Sequence, residues 1–470
     1  MNFRSLRYTT LVTTFSLMLL SCSFPQGTLQ TVSVTGSGLR LYLQPLPQEA
    51  HRLTLTLSGI SATQANGTEI PLVTGPAELK GQELTTTQKR LFSGDLPEGL
   101  YTGLTLRFAS AMLLTDEGDT SLLLPAGPIS LNQEFRIESH QALALFITLS
   151  PERLVTDGYR FTPTLSLWKS LPVLPSLKGV ISNGDAGTLT IFEKKTPMVV
   201  SIITVGQRPQ EMALDAVQHR AYVALQGENS IAVLDIVTEQ TQDKLRLRSG
   251  DAPKELALSP DGRKIVTANV RSNSISILDT SPLSERGRIQ LITSPASVFF
   301  GPFSDRAYVV QPETNALTVV DLERQQVLTS INLEASPVRG AASADGRSLF
   351  LITEDSPNML VLDAASLVIV DRVLVGYGAT CLTVNPGNGL IYVGRNTGEI
   401  VLVDPKVSIP IDTFKVAGDV TYLALDREEN TLFAVSSQKQ QITKIDLVSK
   451  KHLGTLDTDP GPFSLVVMGE

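Results

Sequence analysis

The sequence of 470 residues predicts an all-β protein, an N-terminal β-sandwich followed by a seven-bladed β-propeller that the C-terminal strand closes. Three observations predict this architecture. Apolar and polar residues alternate in short runs before residue 170, a unit of roughly 42 residues recurs after residue 175, and long helical periodicity is missing. The composition, 42% hydrophobic and 18% charged, supports ordered apolar cores and argues against general disorder.

The charge pattern argues against nucleic-acid binding. The net charge is −8, and neither acidic nor basic residues form long runs. Proteins that bind DNA or RNA concentrate lysine and arginine in a stripe on one face. We therefore expect no nucleic-acid partner.

Residues 1–21 predict a lipoprotein signal peptide. Arg4 and Arg7 precede an apolar run from Leu11 to Leu20, which is too short for a comfortable membrane span. The stretch "LLSC" resembles a bacterial lipobox, which implies that Cys22 takes a diacylglycerol and becomes the new N-terminus. The alternative is an ordinary signal peptide cut nearby, with Cys22 as a bystander. The expected location is the bacterial cell envelope, and Ser23 favours the outer membrane, with its face left open.

The residues after Cys22 predict a flexible tether and a fold without disulfides. Residues 22–36 are rich in serine, threonine and glycine. The chain has two cysteines, and lipidation of Cys22 leaves Cys381 without a partner. Stability must then come from apolar cores, which a chain of this length can build.

Residues 37–170 predict the β-sandwich. Apolar side chains recur at every second position, as on the buried face of a strand, in Leu39, Leu41 and Leu43; Leu53, Leu55 and Leu57; Leu104, Leu106 and Phe108; and Leu143, Leu145 and Ile147. Turn signals such as "ANGT", "LPEG" and "TDG" separate these runs. Several short strands at this spacing are typical of a sandwich.

Two stretches of this region carry a family resemblance. "DLPEGLYTGLTLRF" and the closing "YRFTPTLSL" resemble a sandwich domain of unknown function found in bacterial lipoproteins, with a transthyretin-like or carbohydrate-binding-like fold. The resemblance implies the fold and the envelope setting, and it implies no catalytic residues.

Residues 175–470 predict the propeller. An acidic residue follows the third strand of every unit, at Glu193, Asp235, Asp279, Asp321, Asp363, Asp404 and Asp446, with spacings of 42, 44, 42, 42, 41 and 42 residues. A period in the low forties with four strands per unit is typical of a propeller blade. An aspartate at a strand end accepts backbone N–H bonds and stabilises the next turn, so we expect these acids to be structural.

The repeat also predicts how the ring closes. The first unit has no innermost strand of its own, and the last apolar stretch, "PFSLVV" at 462–467, has no unit after it. We expect this stretch to supply the missing strand, which leaves no open sheet edge at the junction.

Second-strand sequences place the region near a known family. "AYVALQ", "KIVTAN", "AYVVQP" and "IYVGRN", together with the "SPDG" turn at 259–262, resemble the YVTN-repeat propellers. The resemblance covers residues 175–470 and implies the fold. The chain has one tryptophan, which excludes propellers built on repeated tryptophan signatures.

The innermost strands predict a candidate site at the mouth of the central channel. Small residues such as Ala213, Ala257, Ala341 and Ala424 suit a crowded axis, so we expect their face to line the channel. The preceding position of the same face then forms a ring of Glu211, Glu255, Ser297, Arg339, Cys381, Tyr422 and Ser464. Glu211 and Glu255 lie in adjacent units where they have the chemistry to share a cation. The alternative is a wet channel mouth of mixed polarity without a function.

Other residues of the same end predict a wider rim. Arg208, Lys254, Arg271, Tyr377 and Arg395 lie in neighbouring connections and suit a protein partner or an anionic glycan; the alternative is an ordinary solvated surface. The four histidines are scattered and no covalent haem motif occurs, so we expect no metal and no cofactor.

Two functions follow as hypotheses. The first is a non-enzymatic, lipid-anchored envelope protein whose propeller is a binding scaffold for protein or glycan partners. The alternative is an enzyme, similar to propeller lactone hydrolases or dehydrogenase subunits, with its site at the channel mouth. The fold alone does not decide between these two functions.

Overall fold

The computed structural model describes residues 38–116, 118–170 and 173–469, and in these ranges the protein is all-β. The helical segments there are one short helix, α1 (Gly81–Leu84), and three 3-10 turns, Gln48–Ala50, Pro175–Leu177 and Pro312–Thr314. The predicted lack of long helices is therefore confirmed for this part of the chain. None of its helices is long and apolar enough to cross a membrane. The predicted signal peptide and tether, including Cys22, lie outside the described residues.

The N-terminal region contains twelve strands. They are β1 (Gly38–Leu43), β2 (Leu53–Gln64), β3 (Glu69–Lys80), β4 (Lys89–Gly94), β5 (Gly99–Thr115), β6 (Gly118–Ser121), β7 (Ile129–Leu131), β8 (Phe135–Ile137), β9 (Ala142–Leu149), β10 (Val155–Thr156), β11 (Arg160–Phe161) and β12 (Leu165–Trp168). One sheet has the order β12-β9-β1-β4, and a second has the order β3-β2-β5-β6, with β7 and β8 also paired to β5. β10 and β11 form a separate two-stranded sheet.

Both large sheets of this region contribute to one apolar core. Leu41 and Leu145 come from the first sheet, and Leu55 and Leu106 come from the second, and all four are buried. These residues belong to the alternating stripes that the sequence predicts to be buried. The hydrophobic effect therefore favours packing of the two sheets on this shared core.

The described residues from 173 to 469 form seven four-stranded sheets. Sheets 1 to 4 contain, in order, β13 (Lys178–Asn183), β14 (Thr188–Glu193) and β15 (Met198–Thr204); β16 (Pro209–Asp215), β17 (Arg220–Leu225), β18 (Ser230–Asp235) and β19 (Gln240–Arg246); β20 (Pro253–Leu258), β21 (Lys264–Asn269), β22 (Ser274–Thr280) and β23 (Leu283–Gln290); and β24 (Ser297–Phe300), β25 (Arg306–Gln311), β26 (Ala316–Asp321) and β27 (Gln326–Asn332).

Sheets 5 to 7 continue the same pattern. They contain β28 (Pro337–Ala342), β29 (Ser348–Thr353), β30 (Asn358–Asp363) and β31 (Ile369–Leu374); β32 (Ala379–Val384), β33 (Ile391–Arg395), β34 (Glu399–Asp404) and β35 (Ile409–Lys415); and β36 (Tyr422–Asp426), β37 (Thr431–Ser436), β38 (Gln441–Asp446) and β39 (His452–Asp457). The last strand, β40 (Pro462–Val467), is the fourth strand of sheet 1.

The first and last parts of this array meet through β40. This strand pairs antiparallel with β13, with Gly179 opposite Val467 and Ile181 opposite Leu465. The inner strands β16, β20, β24, β28, β32 and β36 contact one another in that order, and β40 contacts both β16 and β36. The inner strands therefore follow one another in cyclic order, and the C-terminal stretch pairs where the repeat predicts.

The acids at the ends of the third strands hold the turns that follow them. In Asp235 and Asp321, one carboxylate oxygen accepts two backbone N–H bonds from the next turn, at 2.8 to 2.9 Å. Asp446 does the same with Val448 and Ser449. The predicted structural role of these acids is confirmed at these positions.

The four alanines of the inner strands pack between sheets. Ala213, Ala257, Ala341 and Ala424 lie in, or pack against, four different apolar clusters that join neighbouring sheets. The prediction that they line the channel is therefore corrected. An inner strand turns its two faces towards the sheets on either side, so small residues there let neighbouring inner strands approach closely.

Candidate functional site

Five side chains from the inner strands meet at the end where these strands begin. We call Glu211, Glu255, Arg339, Tyr422 and Ser464 the mouth cluster. Arg339 Nη2 donates to Glu211 Oε2 at 3.2 Å and to Glu255 Oε1 at 2.5 Å. Tyr422 donates its hydroxyl to Glu211 Oε1 at 2.6 Å, and Ser464 Oγ donates to the same oxygen at 3.1 Å. Residues from sheets 1, 2, 3, 5 and 7 thus form one hydrogen-bonded group.

A local irregularity of the inner strands aims these side chains. The pairing register shifts between Pro209 and Met212 in β16, and between Pro253 and Glu255 in β20. The same shift occurs between Pro337 and Arg339 in β28. A β-bulge adds a residue to one strand and redirects the side chains beside it. The proline at each strand start has no N–H to leave unpaired there.

A close approach of backbone to a ring holds the strand beside Arg339. A Cβ added at Gly340 would lie 2.4 Å from the Phe299 ring and 2.6 Å from Leu351. Only glycine fits this gap, so β28 packs tightly against sheet 4. This contact helps to position the guanidinium that crosses to sheets 2 and 3.

The mouth cluster is largely buried and has an unbalanced charge. The side chains of Glu211 and Glu255 are each 9% exposed and that of Arg339 is 15% exposed. Burial raises the pKa of the Glu211 carboxyl to about 7, with the charge of Glu255 adding to the rise, although Arg339, Tyr422 and Ser464 oppose it. Burial opposes the charge of Arg339, but Glu255 and Glu211 outweigh burial and raise the pKa of its guanidinium. The pKa of the Glu211 carboxyl is thus raised well above its ordinary value, mainly by burial.

Arg339 lies between Glu211 and Glu255, the two residues that the sequence predicts could share a cation. Its guanidinium bonds both Glu211 and Glu255, so the two carboxylates already have a cationic partner. In the described ranges, no group of three or more histidine, cysteine, aspartate or glutamate side chains is arranged to hold a metal ion. In the structure, the guanidinium of Arg339 is thus the shared cationic partner of both acids.

Cys381 and Ser297, the other two residues of the predicted ring, are buried within their strands. Cys381 is 1% exposed and Ser297 is 2% exposed. Burial raises the pKa of the Cys381 thiol to about 11, so the nucleophilic thiolate is scarce at neutral pH. This agrees with the expected role of Cys381 as a structural residue rather than a nucleophile.

The rim residues lie at the same end of the sheets and differ in their partners. Arg395 Nε donates to the Tyr377 carbonyl at 2.9 Å, and its guanidinium also pairs with Glu399. Tyr377 is 64% exposed, and Arg208 and Arg271 are exposed as well. Lys254 is half-buried, with Nζ 5.9 Å from the centroid of the Phe463 ring. The structure thus brings Arg395 and Tyr377 together and leaves Arg208 and Arg271 open to solvent.

Sequence reasoning missed a buried polar contact between the N-terminal region and sheet 1. Arg40 lies between the core residues Leu39 and Leu41, so alternation places it on the opposite, solvent-facing side of β1. Instead it is fully buried and pairs with Asp459. The sequence did hold a signal, because "ALALFITL" at 142–149 is apolar on both faces, as in a sheet that is covered on both sides.

Comparison with known proteins identifies the type of fold. No protein-family model matches the chain, and no curated protein matches it either. Among solved structures, the dihydro-heme d1 dehydrogenase NirN in complex with DHE matches with a TM-score of 0.51 and 13% identity, over 64% of this chain and 77% of that one. This structural neighbour is a β-propeller protein. The all-β sheets of this chain share that type of fold.

A second solved propeller is less similar in shape. Kuenenia stuttgartiensis hydrazine synthase matches with a TM-score of 0.49 and 20% identity, over 55% of this chain and 88% of that one. This similarity is too low to support an argument, and the 13% identity of the other neighbour extends to the fold alone.

The expectation of a non-enzymatic binding scaffold is corrected by these comparisons. The solved propeller with a TM-score of 0.51 is named as a dehydrogenase, which agrees with the enzyme alternative rather than with the scaffold. The mouth cluster agrees with the correction. A solvated channel mouth without a function is not expected to bury one carboxyl beside a second carboxyl. Shifted pKa values of this kind are typical of catalytic sites.

Proposed function

We propose that the protein is an enzyme whose site is the mouth cluster, with Glu211 as its acid–base group. The observation that carries the proposal is the buried Glu211 carboxyl, hydrogen-bonded to Arg339 and Tyr422, with a pKa of about 7. A catalytic acid or base works best when its pKa lies near the working pH, because both protonation states are then available.

The neighbours of Glu211 fit this role. Ionised Glu211 accepts a proton, and Arg339 and Tyr422 hold its carboxylate in one orientation. Arg339 lies 5.3 Å from the centroid of the Tyr422 ring, which fixes the phenol and guanidinium against each other. A positioned base of this kind contributes roughly a hundredfold to ten-thousandfold to a reaction rate.

We propose a dehydrogenase-type reaction, for which the similar propeller is a precedent at the level of the fold. In this reaction Glu211 takes the proton of a substrate hydroxyl, while the substrate carbon gives a hydride to a separate two-electron acceptor. Proton and hydride together account for the two hydrogens lost as the alcohol becomes a carbonyl. The chain supplies the base, and the acceptor comes from solution.

The test is turnover by the purified full chain on a panel of small hydroxy acids and alcohols, with a phenazine dye as the two-electron acceptor. Glu211→Gln is expected to reduce turnover at least a hundredfold, since the amide keeps the shape and cannot take the proton. Glu313→Gln is the matched control, because Glu313 is exposed on a turn at the same end of the sheets. Turnover that survives in Glu211→Gln, or no turnover by the native chain on the panel, contradicts the proposal.

We further propose a finer architecture for the chain, with the residue bounds of its two regions. Seven blades built from YVTN-type repeats, closed by β40, occupy residues 175–470, and a β-sandwich of the lipoprotein type occupies residues 37–170. The pairing of β40 with β13 and the shared core of the two N-terminal sheets support this arrangement.

We also propose that Cys22 anchors the protein by lipid to the outer membrane of the bacterial envelope after removal of residues 1–21. Metabolic labelling with a palmitate analogue tests this directly. Label is expected on the native chain and is expected to vanish in Cys22→Ser. Label that persists in that variant, or a chain that fractionates with soluble proteins, contradicts the anchor.

A further inference from the structure

Lys254 reaches across the strand that carries Glu211. It belongs to β20 in sheet 3, and its ammonium lies 5.9 Å from the centroid of the Phe463 ring in β40 of sheet 1. The strand β16 lies between these two and contacts both β20 and β40. Ser464, the residue after Phe463, donates to Glu211. Lys254 and Phe463 are thus each next in sequence to a member of the mouth cluster, Glu255 and Ser464.

The contact with Phe463 holds this charge without neutralising it. A cation over an aromatic ring is attracted by the electron density of the ring face, and it keeps its charge and its N–H donors. Within the described residues, Lys254 forms no ion pair with a carboxylate. Its donors are therefore available to a bound anion.

Further cations occupy the same sector of the mouth. Arg208 precedes β16, and its carbonyl accepts a bond from the Gln226 N–H at 3.0 Å; Arg271 donates its backbone N–H to the Asp251 carbonyl at 3.2 Å. These bonds fix both exposed residues in the loops of sheets 2 and 3. An open groove of about 480 Å³ on this side is lined by Lys244, Arg246 and Glu228. Lys254, Arg208 and Arg271 thus place three cations in this sector of a chain whose net charge is −8.

Two acids of the same loops and strands, Glu228 and Asp251, already have other partners. Glu228 pairs with Lys244 at 2.9 Å, and Asp251 pairs with Arg288 at 2.7 Å. Arg208 and Arg271, like Lys254, form no ion pair with a carboxylate among the residues that the structure describes. The sector thus keeps free positive charge at the edge of the mouth cluster.

We propose that the mouth site takes a small anionic substrate, one bearing a carboxylate or a phosphate, with Lys254 as the residue that receives its negative group. Arg208 and Arg271 attract the anion towards the mouth through their longer-range field. Lys254 is then a specificity-determining residue, and it places the anion beside Glu211. The inference rests on the proposed function, which it deepens by naming the class of substrate.

The test is binding of inorganic phosphate and of citrate to the full chain at fixed pH, measured by calorimetry at low and at physiological salt. Lys254→Gln is expected to weaken binding about tenfold, equal to about 1.4 kcal/mol, since the anion loses its direct partner. Arg208→Gln is expected to weaken it about twofold, and mainly at low salt, because salt screens an exposed charge. Lys406→Gln, an exposed lysine in the turn at the opposite end of sheet 6, is the control and should change nothing.

Three results overturn the inference: native-level binding in Lys254→Gln, equal weakening in all three variants, or no binding of either anion to the native chain. Glu211→Gln separates this test from that of the proposed function. It is expected to keep anion binding and lose turnover. If it keeps turnover while Lys254→Gln loses binding, the acid–base role fails and the anion site stands.

Discussion

Arg40 and Asp459 form a salt bridge of 3.0 Å in which neither side chain has any solvent exposure. Arg40 comes from β1 of the N-terminal region, and Asp459 comes from the segment just before β40. Arg90 of the same region adds a bond to the Thr458 carbonyl at 2.6 Å. The N-terminal region therefore holds the chain at the point where the last strand enters sheet 1.

Removing one member of this pair is expected to destabilise the protein strongly. Arg40→Met leaves the Asp459 carboxylate buried without its cation, and such losses cost about 3 to 5 kcal/mol. Denaturant unfolding of the full chain measures the change. Arg372→Met is the matched control, because its pair with Glu334 is exposed and surface pairs contribute little. Equal effects of the two variants contradict the buried role of Arg40.

The other end of β40 is held by a second buried cation. Lys194 is fully buried and bonds Asp426 at 3.2 Å, Glu428 at 2.9 Å and the Met468 carbonyl just beyond β40. Lys194→Met is expected to release the C-terminal strand, seen as faster hydrogen exchange at residues 462–467. The neighbouring Lys195 is exposed, so Lys195→Met is the control and should exchange like the native chain. If hydrogen exchange at residues 462–467 is unchanged in both variants, Lys194 does not hold the C-terminal strand in place.

The raised pKa of Glu211 predicts the pH dependence of stability. The folded carboxyl has a pKa of about 7, above the ordinary 4.5, so the folded state holds one proton more than the unfolded state between these values. Stability is then gained as the pH falls from 7 to 4.5, by about 1.4 kcal/mol per pH unit at most, and is lost as the pH rises through 7. Unfolding curves over this range test it. Glu211→Gln should lack this component, and an unchanged slope in that variant contradicts the shift.

The same pKa predicts the pH profile of the proposed reaction. If Glu211 acts as the base, kcat/KM rises as the pH passes through about 7, where the carboxyl of the free enzyme ionises. The profile is measured on the turnover found with the substrate panel. A profile governed by a group near pH 4.5 would place the base elsewhere.

The buried thiol of Cys381 predicts a slow reaction with thiol reagents. Burial raises its pKa to about 11, so little thiolate exists at pH 8 and no reagent reaches it directly. In Cys22→Ser, a thiol reagent at pH 8 should react slowly with the folded chain and at once after denaturation. Fast labelling of the folded chain would mean that the inner strand of sheet 6 opens readily.

The sequence predicts the strands well because alternation and repetition are local. The stripes of Leu39, Leu41 and Leu43 are buried as expected, and the repeat assigns Pro462–Val467 to the first sheet, where it pairs with β13. Period-two counting also groups Glu211, Glu255, Arg339 and Tyr422, which the structure joins by hydrogen bonds. Such patterns depend on backbone geometry, which each strand carries within its own sequence.

What the sequence by itself determined is the all-β class, the recurring four-stranded unit and the set of inner-strand residues near one end. Only the tertiary structure decided that Arg339, rather than a metal ion, lies between the two glutamates, that the inner alanines pack between sheets, and that Arg40 is buried against Asp459. The physical reason is distance along the chain. The ion pairs of Arg339 and Arg40 join residues from 84 to 419 positions apart. The burial that raises the pKa of Glu211 exists only after separate sheets have packed.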